Sequence, residues 1–428
     1  MKYLKRPEPV QEADVGEVRR TVESMLERIR TEGESAVRAF SSQLDGWNPP
    51  GFRVGEDAIR RAEQSLPETL KEDIRFAQEQ VRRFARYQRD ALQDLEVETL
   101  PGVTLGQRWI PVASAGAYVP GGRYPLIASA YMAIVTAKVA GVSRVVACSP
   151  PNQGRGIYPA TLYAIHTSGA DEIYCIGGVQ ALGAMAYGAD IMAPVDMIVG
   201  AGNRYVAEAK RQLFGTVGVD LLAGPTEILV IADETADPAV VAADLLGQAE
   251  HDVNSPSIGI MTSEMLARRV LEEVERQLRT LPTAAVAGEA WRRNGAVVVV
   301  DSDEEAAALA DEFAPEHLEV QTRNPDWYLQ RLRNYGTLFL GEPATVVYSD
   351  KALGTNHILP TGRAARYTGG LWVGKFLKTV TYQRLTPRAS AQIAGVAGRI
   401  ARAEGMLAHE ITARMRADKY GQPDRGGS

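Results

Sequence analysis

Apolar residues recur every three or four positions through the first hundred residues. The stretches "EVRRTVESMLERIRTEG" (17–33) and "SLPETLKEDIRFAQEQVRRFARYQRDAL" (65–92) carry them on one face with charges between, which predicts amphipathic helices. From about residue 108 the texture changes. Short β-rich runs ("AGAYVP", "RVVACSP", "EIYCIGG", "DMIVGAGN") alternate with helical segments, and a second series follows ("TEILVIAD", "SIGIMT", "GAVVVV", "LEVQT", "GTLFLG"). Such alternation is the pattern of βαβ units and a mainly parallel sheet. The two series are separated by "DLLAGP" (220–225), which predicts two α/β domains. The tail from about Thr386 returns to helix, opened by a Thr386-Pro387 cap and first-turn pair and interrupted near Gly405.

Composition narrows the class. A chain of 428 residues, 45% hydrophobic and 23% charged, has the balance of a globular protein of two or three domains. A net charge of −6 gives no global basic field for nucleic acid. No run of about 18 apolar residues is present, so no membrane span is expected. The opening residues lack the apolar stretch of a secretory signal. Cys148 and Cys175 are the only cysteines and both fall in apolar strand-like runs. They read as reduced core thiols of a cytoplasmic protein.

Histidines are scarce, five in all, and four have a carboxylate or amide within a few residues. Gln248 and His251 stand three apart, on one face near the end of a helix that Asp237 and Pro238 would open. His317 directly follows Glu316; His357 lies seven residues after Asp350, and His409 five after Glu404. Only His166 has no such companion, and it reads as structural. Imidazole, amide and carboxylate donors suit a divalent ion, but residue types alone do not separate a metal site from unrelated surface histidines. Adjacent Glu316 and His317 could divide proton transfers between them, or be a solvated loop acid and a strand-start residue. Three glycine-rich turns, "YVPGGRYP", "IGGVQ" and "VGAGNR", each follow a strand and open a helix, where an anionic ligand would find free N–H groups. None is GxGxxG, so a nucleotide is plausible from the layout alone.

Taken together, "VPGG", "GGVQALGAMAYG", "GNRYVAEAKRQ", "AGPTEILVIAD", "GQAEH", "FAPEHL" and "GTNHILPT" resemble the histidinol dehydrogenase family, in family order. The resemblance implies an intertwined homodimer of two incomplete Rossmann-like α/β domains with helical N- and C-terminal segments. In that reading residues 1–13 form an N-terminal segment and 14–118 with 230–370 the first domain. Residues 119–229 form the second, NAD-contacting domain, and 371–428 a helical tail reaching the partner's site. It implies one zinc ion per subunit, held by Gln248, His251, Asp350 and the partner subunit's His409. It also implies Glu316 and His317 as the acid/base pair, with substrate contacts at Thr226 (where the family has serine), His357 and the partner subunit's Glu404. The NAD+ contacts would be Tyr118, Gln180 and Asn203. Implied chemistry is NAD+-dependent oxidation of a small alcohol, through a bound aldehyde, to a carboxylate.

Two stretches, "PGGRYPLIASAYM" and "PTGRAARYTGGLWVGKFLKTVTYQR", are more similar to the branch that oxidises (R)-2,3-dihydroxypropane-1-sulfonate to sulfolactate than to the enzymes that oxidise L-histidinol. A sulfonate calls for fixed positive charge, and guanidinium offers several donors to a tetrahedral anion. Arg363 is the expected partner of that anion, with Arg123 or Arg366 in support; as a surface or interface arginine each would have no such part. L-Histidinol remains the alternative substrate. A zinc hydrolase and a non-catalytic paralogue are more remote. NADP in place of NAD+ is left open.

Overall fold

The computed structural model describes residues 1–8, 15–122 and 124–421. Two compact units are formed: one from Met1–Arg89 with Val112–Phe376, the other from Asp90–Pro111 with Leu377–Ser428.

The larger unit contains two sheets. In the first, strands run in the order Lys2–Lys5, Gly295–Val299, Ser257–Met261, Ile228–Ala232, His317–Gln321, Thr337–Leu340; the edge strand Lys2–Lys5 is antiparallel and the others are parallel. The central strand "ILVIA" is buried along its whole length. Ile228 and Val230 pack with Val241 and Leu245 on one face, whereas Leu229 and Ile231 pack with Ala306 and Tyr328 on the other. A strand covered on both faces must be apolar at every position, which is why this run does not alternate. Burial of each large aliphatic side chain there contributes roughly 1.5–3 kcal/mol.

The second sheet is parallel throughout, in the order Glu172–Cys175, Arg144–Ser149, Ser114–Tyr118, Met197–Val199, Gly218–Val219. Its core draws in the first two helices, Val15–Glu32 and Glu34–Asp45. Val22, Leu26, Ile29 and Val37 pack with Leu182, Met185 and Leu213. The expected partition of residues 14–118 with 230–370 therefore differs from what is observed. Ser114–Tyr118 is the middle strand of the second sheet, and the apolar stripe of the first helices seals that sheet's core. Helical periodicity shows that a stripe exists but not which sheet it meets.

The smaller unit is a three-stranded antiparallel sheet, Leu377–Leu385, Val103–Pro111 and Leu95–Leu100, followed by the helices Pro387–Ala403 and Leu407–Tyr420, which pack on each other. The tail after 371 is thus not helical throughout, since nine of its residues form a strand paired to Val103–Pro111. Thr386 caps the first tail helix through its hydroxyl, and the break falls at Gly405, in the left-handed region at φ +76°. No helix among the described residues is long and apolar enough to cross a membrane.

Candidate active site

The helix Pro238–Ala249 starts past the carboxyl end of Ile228–Ala232 and runs back across the sheet before Ser257–Met261 begins. Its last turn, with Gln248 and the following His251, is thereby returned to the amino edge of the first sheet. His317 is paired with Ile228 at that same edge. The site residues of this sheet thus gather where strands begin, not at their carboxyl ends. The glycine turns of the second sheet do follow strand ends: Tyr118 closes its strand, and Gly177–Gly178 and Gly200 follow theirs. A cavity of about 990 Å³ joins the two regions, lined among others by Asp45, Tyr118, Gln180, Asn203, Thr226 and His251.

Glu316 and His317 are buried at the heart of the amino edge. Glu316 Oε2 accepts from the Thr226 hydroxyl (2.5 Å) and the Glu227 N–H (2.9 Å) and lies 3.5 Å from His317 Nδ1. That Nδ1 faces the Glu227 carbonyl at 3.0 Å and so donates to it. Nε2 is then the open position of the ring. The Gln248 amide donates to the Thr226 hydroxyl and sits 3.4 Å from His317 Nδ1. Burial lifts the Glu316 carboxyl to about 7, against the opposing pull of His317 and the Thr226 hydroxyl. Burial alone would lower His317, but the carboxylates of Glu316 and Asp350 outweigh it and hold the ring at about 9. Asp350, despite burial, is held well below the usual carboxylate range by the facing His317 and the nearby His357 and Lys351.

His317 Nε2 and Asp350 Oδ1 are both buried without a hydrogen-bond partner, 3.6 Å apart. His251 is held below its usual value by burial. His357 is fixed at both ring nitrogens, Nδ1 at 3.1 Å from the Asp350 carbonyl and Nε2 at 2.8 Å from Ser129 Oγ. Glu404 and His409 are exposed in the smaller unit, on either side of the break at Gly405.

No three His, Cys, Asp or Glu side chains converge as a metal cage among the described residues. The expected zinc set draws only one imidazole and one carboxylate, His251 and Asp350, from the larger unit. The fit therefore rests on the unpartnered Asp350 Oδ1, a buried anionic oxygen left without a donor, as a cation ligand would be.

At the glycine turns of the second sheet, Tyr118 Oη accepts the Gly178 N–H at 3.1 Å, and Gln180 Nε2 donates to Asp45 at 2.8 Å while its buried Oε1 has no partner. Asn203 caps the helix Arg204–Leu213, accepting from Tyr205 and Val206 N–H. Gly200 has φ +121°, and a Cβ there would stand 2.2 Å from the Tyr118 carbonyl oxygen, so only glycine fits this turn.

Arg363 is exposed at φ +67° in a turn tied to the site: Gly362 N–H donates to Glu227 Oε1 (3.1 Å) and Gly224 N–H to Thr361 Oγ1 (2.6 Å). Arg366 is exposed, and its Nε donates to the Arg363 carbonyl. Arg123 lies outside the described residues. Both cysteines are buried, and burial drives the Cys148 thiol far up and that of Cys175 to about 12, so neither is a nucleophile.

Sequence reasoning missed Glu227, Ser129 and Asp45. Glu227 stands in the quoted "AGPTEILVIAD" and could have been flagged as a second acid beside Thr226; Ser129 and Asp45 carry no local signal.

Residues 8–417 match the family model described as histidinol dehydrogenase. The chain belongs to the histidinol dehydrogenase family. A histidinol dehydrogenase homolog of Shouchella clausii is 56% identical over 95% of this chain and 96% of its own length. A sulfopropanediol 3-dehydrogenase of Ruegeria pomeroyi is 46% identical, covering 98% of this chain and 97% of that one. The crystal structure of histidinol dehydrogenase from Elizabethkingia anophelis superposes with a TM-score of 0.91 at 34% identity, over 97% of this chain and 95% of that one. This member of the family is an oxidoreductase with an α/β fold of parallel sheets.

Proposed function

We propose that this family member oxidises a small primary alcohol with NAD+ through a bound aldehyde to the carboxylate, and that the alcohol is (R)-2,3-dihydroxypropane-1-sulfonate, giving sulfolactate. The observation that carries the chemistry is the pair of unpartnered buried atoms, His317 Nε2 and Asp350 Oδ1, next to a carboxyl lifted to about 7 at Glu316. A cation ligand needs an unpaired oxygen, which Asp350 Oδ1 offers; a cation there would also relieve the pull of Asp350 that raises His317, and the ring in its neutral form has its lone pair at Nε2.

Zinc held by Gln248, His251, Asp350 and the partner subunit's His409 would supply a Lewis acid that orients the alcohol. NAD+ held by Tyr118, Gln180 and Asn203 would supply the hydride acceptor. The chain's own residues do the rest. In its neutral form His317, its Nδ1 fixed on the Glu227 carbonyl, presents Nε2 to take the hydroxyl proton. Glu316, held by the Thr226 hydroxyl and the Glu227 N–H, takes a proton from water as that water adds to the aldehyde. One hydride lost from the alcohol and one from the hydrate would make the stoichiometry two NAD+ per alcohol. His357 and the partner's Glu404 contact the substrate. Arg363, on the turn tied to Glu227, binds the sulfonate, with Arg123 or Arg366 in support.

The sulfonate reading is supported by the relative at 46% identity whose name specifies sulfopropanediol. Oxidation of L-histidinol to L-histidine is the second reading, favoured by the 34% identical structure that carries that name. A homodimer is supported by the apolar side chains of Ile393, Val396, Ile400, Leu407, Ile411 and Met415, all exposed on the two tail helices. The deciding experiment follows NADH formation to completion on both alcohols with zinc-loaded protein. Two NADH per sulfonate with little on L-histidinol is expected; the reverse preference overturns the substrate.

A further inference from the structure

Behind the acid/base pair lies a second, separate pair of acids. Glu319 is fully buried, two residues past His317 on the same strand, and Asp244 is half-buried, one helical turn before Gln248. Their carboxyl groups share one donor. Gln321 Nε2 donates to both, at 2.7 Å to Asp244 and 3.1 Å to Glu319. A third segment joins them: Val346 N–H donates to Glu319 Oε1 at 3.0 Å, and the Thr345 hydroxyl to Asp244 Oδ1 at 3.0 Å. Four residues further on that segment reaches Asp350.

We propose that the Asp244–Glu319 pair is a positioning element, which sets the mutual register of the three chain segments that present Gln248, His317 and Asp350. The inference rests on the reading of those three residues as the zinc and base positions.

Two carboxyls in contact can share one proton, and burial holds Glu319 in its protonated form, at about 8. The Gln321 amide bonded to both joins helix to strand, while the remaining oxygens accept from the segment leading to Asp350. An apolar contact would fill the same space without fixing direction, whereas these hydrogen bonds hold each segment at one height above the site. The proton-transfer chemistry itself uses neither carboxyl.

The test uses full-length protein. Glu319→Ala is expected to fold cooperatively and to lose about 10–100-fold in kcat with an unchanged KM for NAD+. It should also yield zinc to a chromogenic chelator about 10–100-fold more readily. Glu319→Gln keeps an acceptor for Val346 N–H and a donor toward Asp244, and is expected to recover most of both. Val274→Ala, which opens a cavity in the same sheet's core, is the control for lost stability alone. If Glu319→Ala loses Tm as Val274→Ala does, yet keeps wild-type kcat and zinc retention, the positioning role is overturned. Should Glu319→Ala fail to fold, Asp244→Ala is scored in the same way. If wild-type protein reduces NAD+ with neither alcohol, the functional reading fails, while zinc retention in the variants still decides the register claim.

Discussion

Asp350 Oδ1 faces His317 Nε2 across 3.6 Å, and neither atom has a hydrogen-bond partner. The separation is too long for a hydrogen bond but short enough for strong attraction between charges. A buried polar atom without a hydrogen bond costs about 1–3 kcal/mol, a cost that their attraction offsets only in part. A fold tolerates such a cost where a ligand removes it, and a cation on Asp350 would do so directly.

Zinc should therefore stabilise the folded protein. At 100 times the dissociation constant, a ligand specific for the folded state contributes about 2.7 kcal/mol. That corresponds to an upward shift in Tm of a few degrees for a chain of this size. Asp350→Asn, which loses the charge but keeps the shape, is expected to abolish most of the shift, as read by differential scanning fluorimetry with and without zinc. An unchanged shift in that variant would remove Asp350 from the ligand set.

Glu319 makes stability depend on pH in a defined direction. Its folded value of about 8 lies above the ordinary 4.5, because burial and the neighbouring Asp244 disfavour the charged form. The folded state then holds a proton that the unfolded chain releases, so its stabilisation is complete below the unfolded value. It is lost as pH rises through about 8, at up to roughly 1.4 kcal/mol per pH unit. Glu319→Gln cannot titrate, so its urea midpoint should fall less than the wild type's between pH 5 and pH 8. Parallel curves would show that Glu319 is not the titrating group.

The turn at Gly200, which leads into the cavity-lining Ala201, Gly202 and Asn203, is held by a buried ion pair. Lys210 Nζ bonds Asp220 and, at 2.8 Å, the Gly200 carbonyl, while Asp220 Oδ2 accepts the Gly200 N–H at 2.9 Å. Lys210→Met leaves an uncompensated buried carboxylate and should cost about 3–5 kcal/mol. In any folded fraction NAD+ affinity should fall as well, since the turn loses its anchor. Isothermal titration separates the two effects; a stable variant with wild-type NAD+ affinity contradicts the anchoring role.

Most of the strands and helices were legible because their periodicity is local. Asp237 and Thr386 cap helices as their neighbours suggested, and Gly405 breaks the tail. What pairs over long distance was not legible: Leu377–Leu385 joins Val103–Pro111 across more than two hundred and fifty residues, and its polar, exposed side chains give it no core-strand signature. The clustering of Glu316, His317, Asp350 and Gln248 followed only from the resemblance. Three separate segments bring them to one sheet edge, and no spacing in the sequence encodes that. Glu227 was overlooked because its backbone N–H and carbonyl, not its side chain, hold Glu316 and His317.

Arg363 is where substrate choice can be tested most directly. Its φ of +67° is uncommon for a residue with a side chain and costs of order 1–3 kcal/mol, which the flanking bonds of Gly362 and Thr361 must offset. A turn held in this way keeps the backbone fixed while leaving the exposed guanidinium free to meet a ligand. A charge-assisted hydrogen bond contributes about 1.5–3 kcal/mol. Arg363→Ala is therefore expected to raise the KM for (R)-2,3-dihydroxypropane-1-sulfonate by roughly 10–100-fold, with the KM for NAD+ unchanged. Arg363→Lys keeps the charge but loses the fork of donors, so it should fall between the two. Arg363→Gly keeps the positive φ while removing the side chain, so it separates loss of the guanidinium from loss of the turn. If Arg363→Gly binds the sulfonate as wild type does, the anion is held elsewhere and Arg363 serves only the turn.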